Sequence, residues 1–113
     1  MSKRTPRLLL EDILESADKI LTYTAGFSFE QFLGDGKTID AVIRNFEIIG
    51  EAANRLPEEI KDEYLQIDWH RIRGFRNRII HDYMGIDHKI VWLIKETFLP
   101  ILIADIRSIL EKL

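Results

Sequence analysis

The chain has 113 residues, of which 46% are apolar and 31% charged, with only six glycines and three prolines. That composition gives one packed domain, residues 1–113, and excludes multidomain, fibrous and disordered architectures. It contains no cysteine, which rules out disulfides, thiolate metal sites and cysteine nucleophiles, and its net charge of −3 argues mildly against a polyanionic partner.

Thr5 before Pro6 reads as a helix start, since a threonine hydroxyl caps a free amide and proline costs nothing at the first helical position. Leu9, Leu10, Ile13, Leu14, Ala17, Ile20 and Leu21 then recur at helical spacing until Ala25-Gly26. Ser28 with Gln31 has the form of a capping box and opens a short helix that Gly34-Asp35-Gly36 ends. A second long helix follows, with Ile39, Val42, Phe46, Ile49, Ala53 and Leu56 on one stripe and Arg44, Glu47, Glu51 and Arg55 largely on other faces. Gly50 and Ala53 lie near that stripe, so a neighbouring helix can come close there.

Pro57 starts another short helix through Ile60 and Tyr64, and Asp68 caps a helix that begins at Trp69. Ile72, Phe75 and Ile79 form its apolar stripe. It is expected to end near Tyr83-Met84-Gly85, with Gly85 in a left-handed terminating position. Asp87 caps the last helix, whose apolar stripe is broad, and Pro100 should kink it by removing an amide hydrogen and crowding the carbonyl of Glu96. The expected fold is all-α, an up-and-down bundle of four main helices with short extra ones. The apolar surface of the last helix exceeds what a small core needs, so a second copy is expected to cover part of it.

No apolar run approaches a membrane span: the longest, residues 98–104, contains Pro100. The basic start Met1-Ser2-Lys3-Arg4 meets Glu11 and Asp12 before an export signal could develop, so the cytoplasm is the expected location.

The mean charge hides a sharp local switch. Residues 57–68 carry Glu58, Glu59, Asp62, Glu63 and Asp68 against Lys61 alone, whereas residues 70–81 carry Arg71, Arg73, Arg76, Arg78, His70 and His81 with no acid. This is either a solvated helix face or a localised anion site. On a helix, Arg73, Asn77 and His81 are one turn apart in a single polar row, while Arg76 stands about 140° from His81. A helix end near His81, or a second subunit, would help them converge; Arg76 and Tyr83 share a face if the helix reaches that far.

The chemistry of this row suits phosphate. Imidazole, with an ordinary pKa of about 6.5, moves protons near neutrality. Guanidinium matches phosphate oxygens and stabilises charge developing on phosphorus. Together they suit metal-free cleavage of RNA, in which the ribose 2′-hydroxyl attacks its own phosphate; DNA should resist. The blander alternative is a histidine complementing a helix C-terminus among surface arginines. Ligand spacing gives no support to a metal site from His81, Asp82, Asp87 and His88. His70 lies outside the row, His88 reads as a surface residue, and Trp69 and Trp92 read as core or interface aromatics.

Residues 76–83, Arg-Asn-Arg-Ile-Ile-His-Asp-Tyr, resemble the R-x-x-x-x-H-x-Y motif of the HepT-like toxins, a branch of the HEPN superfamily, with Arg76, His81 and Tyr83 at the motif positions. Residues 46–56 (Phe-Glu-Ile-Ile-Gly-Glu-Ala-Ala-Asn-Arg-Leu) and 69–77 are similar to the same family, and the likeness covers essentially the whole chain. The resemblance implies a HEPN-like helical homodimer whose motifs face each other across a cleft and cut RNA without metal or cofactor. It implies Arg76 and His81 as the catalytic pair assisted by Asn77; Arg73 and Arg78 of the same charged segment are expected to bind substrate. It also implies a cognate minimal nucleotidyltransferase antitoxin, in a type VII toxin–antitoxin pair, that transfers AMP from ATP to Tyr83. Negative charge added there would occupy the site and repel RNA; a packing role for Tyr83 is the simpler alternative. The competing functional reading is a non-catalytic dimer that binds nucleotide or RNA, or docks a nucleotidyltransferase.

Overall fold

The computed structural model describes residues 4–113; the basic start Met1-Ser2-Lys3 lies outside the described residues. It is all-α, as expected: α1 (Pro6–Thr24), α2 (Phe29–Leu33), α3 (Gly36–Arg55), α4 (Glu58–Glu63), α5 (Trp69–His81), a 3-10 turn (Tyr83–Gly85), α6 (His88–Thr97) and α7 (Leu99–Lys112). Among the described residues no helix is long and apolar enough to cross a membrane.

Side chains set most helix starts. The Thr5 hydroxyl accepts from the Leu8 amide at 3.2 Å. Ser28 and Gln31 form a reciprocal capping box, with bonds of 3.1 and 2.8 Å. Asp68 accepts from the Arg71 amide at 3.0 Å and Asp87 from that of Lys89 at 2.9 Å. Asp35, read as part of a helix stop, is itself the cap of α3, accepting from the Thr38 amide at 3.1 Å. Each such cap is worth about 1 kcal/mol.

The long helices α1 and α3 pack along each other, α7 lies against α1, and α5 lies against α3. Leu10, Ile13 and Ile20 of α1, Val42 and Ile43 of α3, Ile79 of α5 and Leu102, Ile106 and Ile109 of α7 are fully buried between them. Phe46 and Phe75 meet edge to face at 5.2 Å, fixing α5 on α3. Trp92 packs on Phe32 at 5.1 Å, with the ammonium of buried Lys95 3.8 Å from its ring centre. The aromatic packing expected of Trp92 is therefore what is seen.

Three details correct the sequence expectation. The last helix is two helices: α6 ends at Thr97, and Pro100 falls in the first turn of α7, where its missing amide hydrogen leaves no bond unmade. Phe98 between them keeps helical dihedrals, so the expected kink is a local joint and not a change of direction through a loop. Helix α5 stops at His81 and does not run to Gly85. Gly85 is not left-handed either, since among the described residues only Gly26 has a positive φ, of 78°. What Gly85 supplies is room: a β-carbon there would collide with the Asp82 carboxylate.

Candidate functional site

Helix α5 carries four arginines and two histidines, spread from His70 near its start to His81 at its end. Its apolar edge, Ile72 and Ile79, is buried against the body, which leaves Arg73, Asn77, Arg78 and His81 exposed. From Arg73 to His81 the polar row runs about 12 Å along the helix, at 1.5 Å per residue. His81 is the last residue of the helix, so its imidazole stands at the negative end of the helix dipole.

Arg76 sits about 40° from Ile72 on the helical wheel, so its stem faces α3. There it lies on Gly50: a β-carbon at that position would collide with Cβ and Cγ of Arg76. The close approach foreseen at Gly50 is thus the seat of Arg76. From this half-buried stem the guanidinium reaches its sequence neighbour, and Nη1 donates to Oδ1 of Asn77 at 3.2 Å. The length of the side chain thus brings Arg76 into contact with one member of the polar row, Asn77. Arg76 Nε is buried with no hydrogen-bond partner. A charged donor desolvated and unpaired costs free energy unless an acceptor arrives.

The other arginines of α5 share this unpaired condition. Among the described residues Arg71, Arg73, Arg76 and Arg78 reach no carboxylate, whereas Arg4 pairs with Asp12, Arg7 with Glu11, Arg44 with Glu47 and Arg107 with Asp18. Among the described residues no ion pair therefore offsets these four charges directly.

Tyr83 does not share a helical face with Arg76, because α5 ends first. It lies in the 3-10 turn, 45% exposed, and its hydroxyl donates to Oδ1 of Asp40 on α3 at 3.1 Å. Partial burial, the Asp40 hydrogen bond and the negative charges of Asp40 and Glu47 hold the phenol above its ordinary pKa of 10.0. Asp40 and Glu47 were not singled out in the sequence. Their seven-residue spacing, which puts them on one face of α3, is the signal that could have done so.

His70 is exposed and His88, expected at the surface, is half-buried. Trp69 is half-buried and donates from Nε1 to the carbonyl of Tyr64 at 3.1 Å. A groove of about 480 Å³ adjoins Arg73 and His70, with Asn54, Glu58, Asp62 and Trp69 among its walls. A second, apolar groove of about 290 Å³ lies between α3, α5, α6 and α7, lined by Phe46, Ile49, Ile72, Phe75, Leu93 and Phe98, among others. Leu93 in its wall is 58% exposed, and on the same two helices α6 and α7 Ile90 and Ile101 are 42% and 62% exposed.

Comparison with known proteins gives a consistent result. The family described as "Ribonuclease HepT-like" matches residues 13–109. A Methanocaldococcus jannaschii protein named "Putative RNase MJ0127" is 40% identical over 111 residues, covering 98% of this chain and 92% of the relative. One from Caldanaerobacter subterraneus named "Putative RNase TTE0752" is 37% identical, covering 96% and 97%. "Probable ribonuclease HepT" of Thermococcus cleftensis is 41% identical over 90 residues, covering 80% and 82%. No solved structure matches.

Proposed function

The chain belongs to the HepT-like ribonuclease family, and on that premise we propose that it is a metal-independent endoribonuclease whose site is the polar end of α5. The observation that carries this reading is the set of unpaired guanidinium groups on α5, with the buried Nε of Arg76 lacking an acceptor. A phosphodiester supplies what that site lacks. Arg76 binds the scissile phosphate and stabilises charge that grows on its oxygens, Asn77 orients the guanidinium, and Arg73 and Arg78 hold the flanking backbone.

His81 moves the proton. The 2′-oxygen gives up its proton, bonds to phosphorus, and the bond from phosphorus to the 5′-oxygen breaks as that oxygen gains a proton. The products are a 2′,3′-cyclic phosphate and a 5′-hydroxyl. The acceptor and donor steps call for two protonation states, which two facing copies of His81 would supply. A homodimer has a suitable surface in Ile80, Met84, Ile90, Leu93 and Ile101, all exposed near the end of α5 or along α6 and α7.

The same reading makes the chain the toxin of a type VII pair, neutralised by a minimal nucleotidyltransferase antitoxin that adds AMP to Tyr83. The exposed phenol is accessible for such chemistry, and a phosphodiester placed there adds negative charge beside the RNA path. The test is cleavage of an RNA oligonucleotide by purified protein in EDTA. Wild type should cut it and spare its 2′-deoxy analogue, and His81→Ala and Arg76→Ala should each lose activity by about 100-fold or more. Undiminished cleavage by both variants would refute the assignment.

A further inference from the structure

The turn that follows His81 has little packing of its own. Tyr83, Met84 and Gly85 are all exposed, Met84 at 94%, and the chain re-enters the core only at Ile86. What fastens its first residue to the body is the hydrogen bond from the Tyr83 hydroxyl to Asp40, which joins positions 43 residues apart. Asp40 itself is exposed and makes no ion pair among the described residues, so the phenol is the partner its carboxylate has. His81 stands between two fixed points: the helical ladder behind it, where the Asp82 amide still bonds the Arg78 carbonyl at 2.9 Å, and the Tyr83–Asp40 bond ahead.

We propose that Asp40 is a positioning residue for His81: by holding the Tyr83 phenol it fixes the turn after α5 and with it the place of the imidazole. The inference rests on the reading of His81 as the proton carrier. A displacement of about 1 Å at a reacting group costs up to about 100-fold in rate, so a tether at this point matters even though neither partner touches the reacting atoms.

The tether also gives modification of Tyr83 a structural consequence. When the phenol oxygen bonds to the α-phosphorus of a nucleoside triphosphate, the bond from that phosphorus to pyrophosphate breaks and the phenol proton is lost to solvent. The product oxygen has no proton to donate, and the new phosphate anion faces Asp40 and Glu47, whose charges already act on the phenol. The ester therefore releases the turn as well as crowding the cleft.

The test uses full-length protein and an RNA oligonucleotide. Asp40→Ala and Tyr83→Phe should each lower kcat about tenfold with KM unchanged, because the arginine grips on phosphate are untouched. The double variant should lose no more than either single one, as expected of two ends of one bond. Asp40→Asn, whose amide oxygen still accepts, should recover most of the loss. In parallel, the His81 ring signals in a carbon-13 NMR spectrum should move in Asp40→Ala and Tyr83→Phe alike and stay near wild type in Asp40→Asn. Wild-type kcat and wild-type His81 signals in Asp40→Ala, or losses that add in the double variant, would overturn the proposal. If wild type cuts no RNA, the ribonuclease reading fails on its own, and the His81 signals still decide whether the tether holds the imidazole.

Discussion

Arginines in two parts of this molecule have opposite fates. On α1, α3 and α7, Arg7, Arg44 and Arg107 each reach a carboxylate, at 3.7, 3.0 and 3.6 Å. On α5 the four arginines reach none among the described residues, although the neighbouring residues 57–68 are rich in acid. Exposed ion pairs are worth at most about 1 kcal/mol, so the paired arginines add little to folding. Like charges such as Arg73 and Arg76, three residues apart on one helix, cost a few tenths of a kcal/mol. The arginines of α5 thus carry a small mutual penalty that no ion pair among the described residues offsets.

That contrast predicts where substitutions act. The largest effect on folding should come from the body: Ile106→Ala, at a fully buried position, should cost about 2–5 kcal/mol in denaturant unfolding while leaving cleavage per folded molecule unchanged. Gly50→Ala couples the two regions. Its new methyl displaces Arg76 or parts α5 from α3, so it should lower stability by about 1–3 kcal/mol and cleavage as well. Cleavage retained at wild-type level would mean that Arg76 has other seats.

Smaller effects separate the two classes of arginine. Arg73→Ala should leave stability within about 0.5 kcal/mol and weaken RNA binding, reducing the slope of log K against log salt by about 0.7. Arg107→Ala, which removes a paired arginine, should leave that slope unchanged. The smallest effect is on Tyr83. Its folded pKa lies above the unfolded value, so the stability it contributes is present below the unfolded pKa and is lost as pH rises through the folded one. Ultraviolet titration should find this phenol ionising above pH 10.0, and Asp40→Ala should bring it down toward that value, because a hydrogen bond and a charge that oppose ionisation are gone.

Much of this was legible in the sequence because it is local. Thr5, Ser28 with Gln31, Asp68 and Asp87 announce helix starts through contacts two or three residues away. The row Arg73, Asn77, His81 follows from helical pitch alone. What was not legible depends on contacts distant in sequence or on how a side chain bends. The Tyr83–Asp40 bond crosses from the end of α5 to α3, and nothing in either neighbourhood names the other. Arg76 looked misdirected on the wheel because the wheel carries no information about a guanidinium turning toward Asn77 from a seat on Gly50. Gly85 suggested a left-handed stop, yet its role is to make space for Asp82.

The most direct test is the chemistry of the cut ends. RNA incubated with the wild-type protein in EDTA should yield fragments ending in a 2′,3′-cyclic phosphate and beginning with a 5′-hydroxyl, the signature of attack by the neighbouring ribose hydroxyl. Fragments bearing a 3′-hydroxyl and a 5′-phosphate, or cleavage that appears only when a divalent metal is restored, would contradict the account.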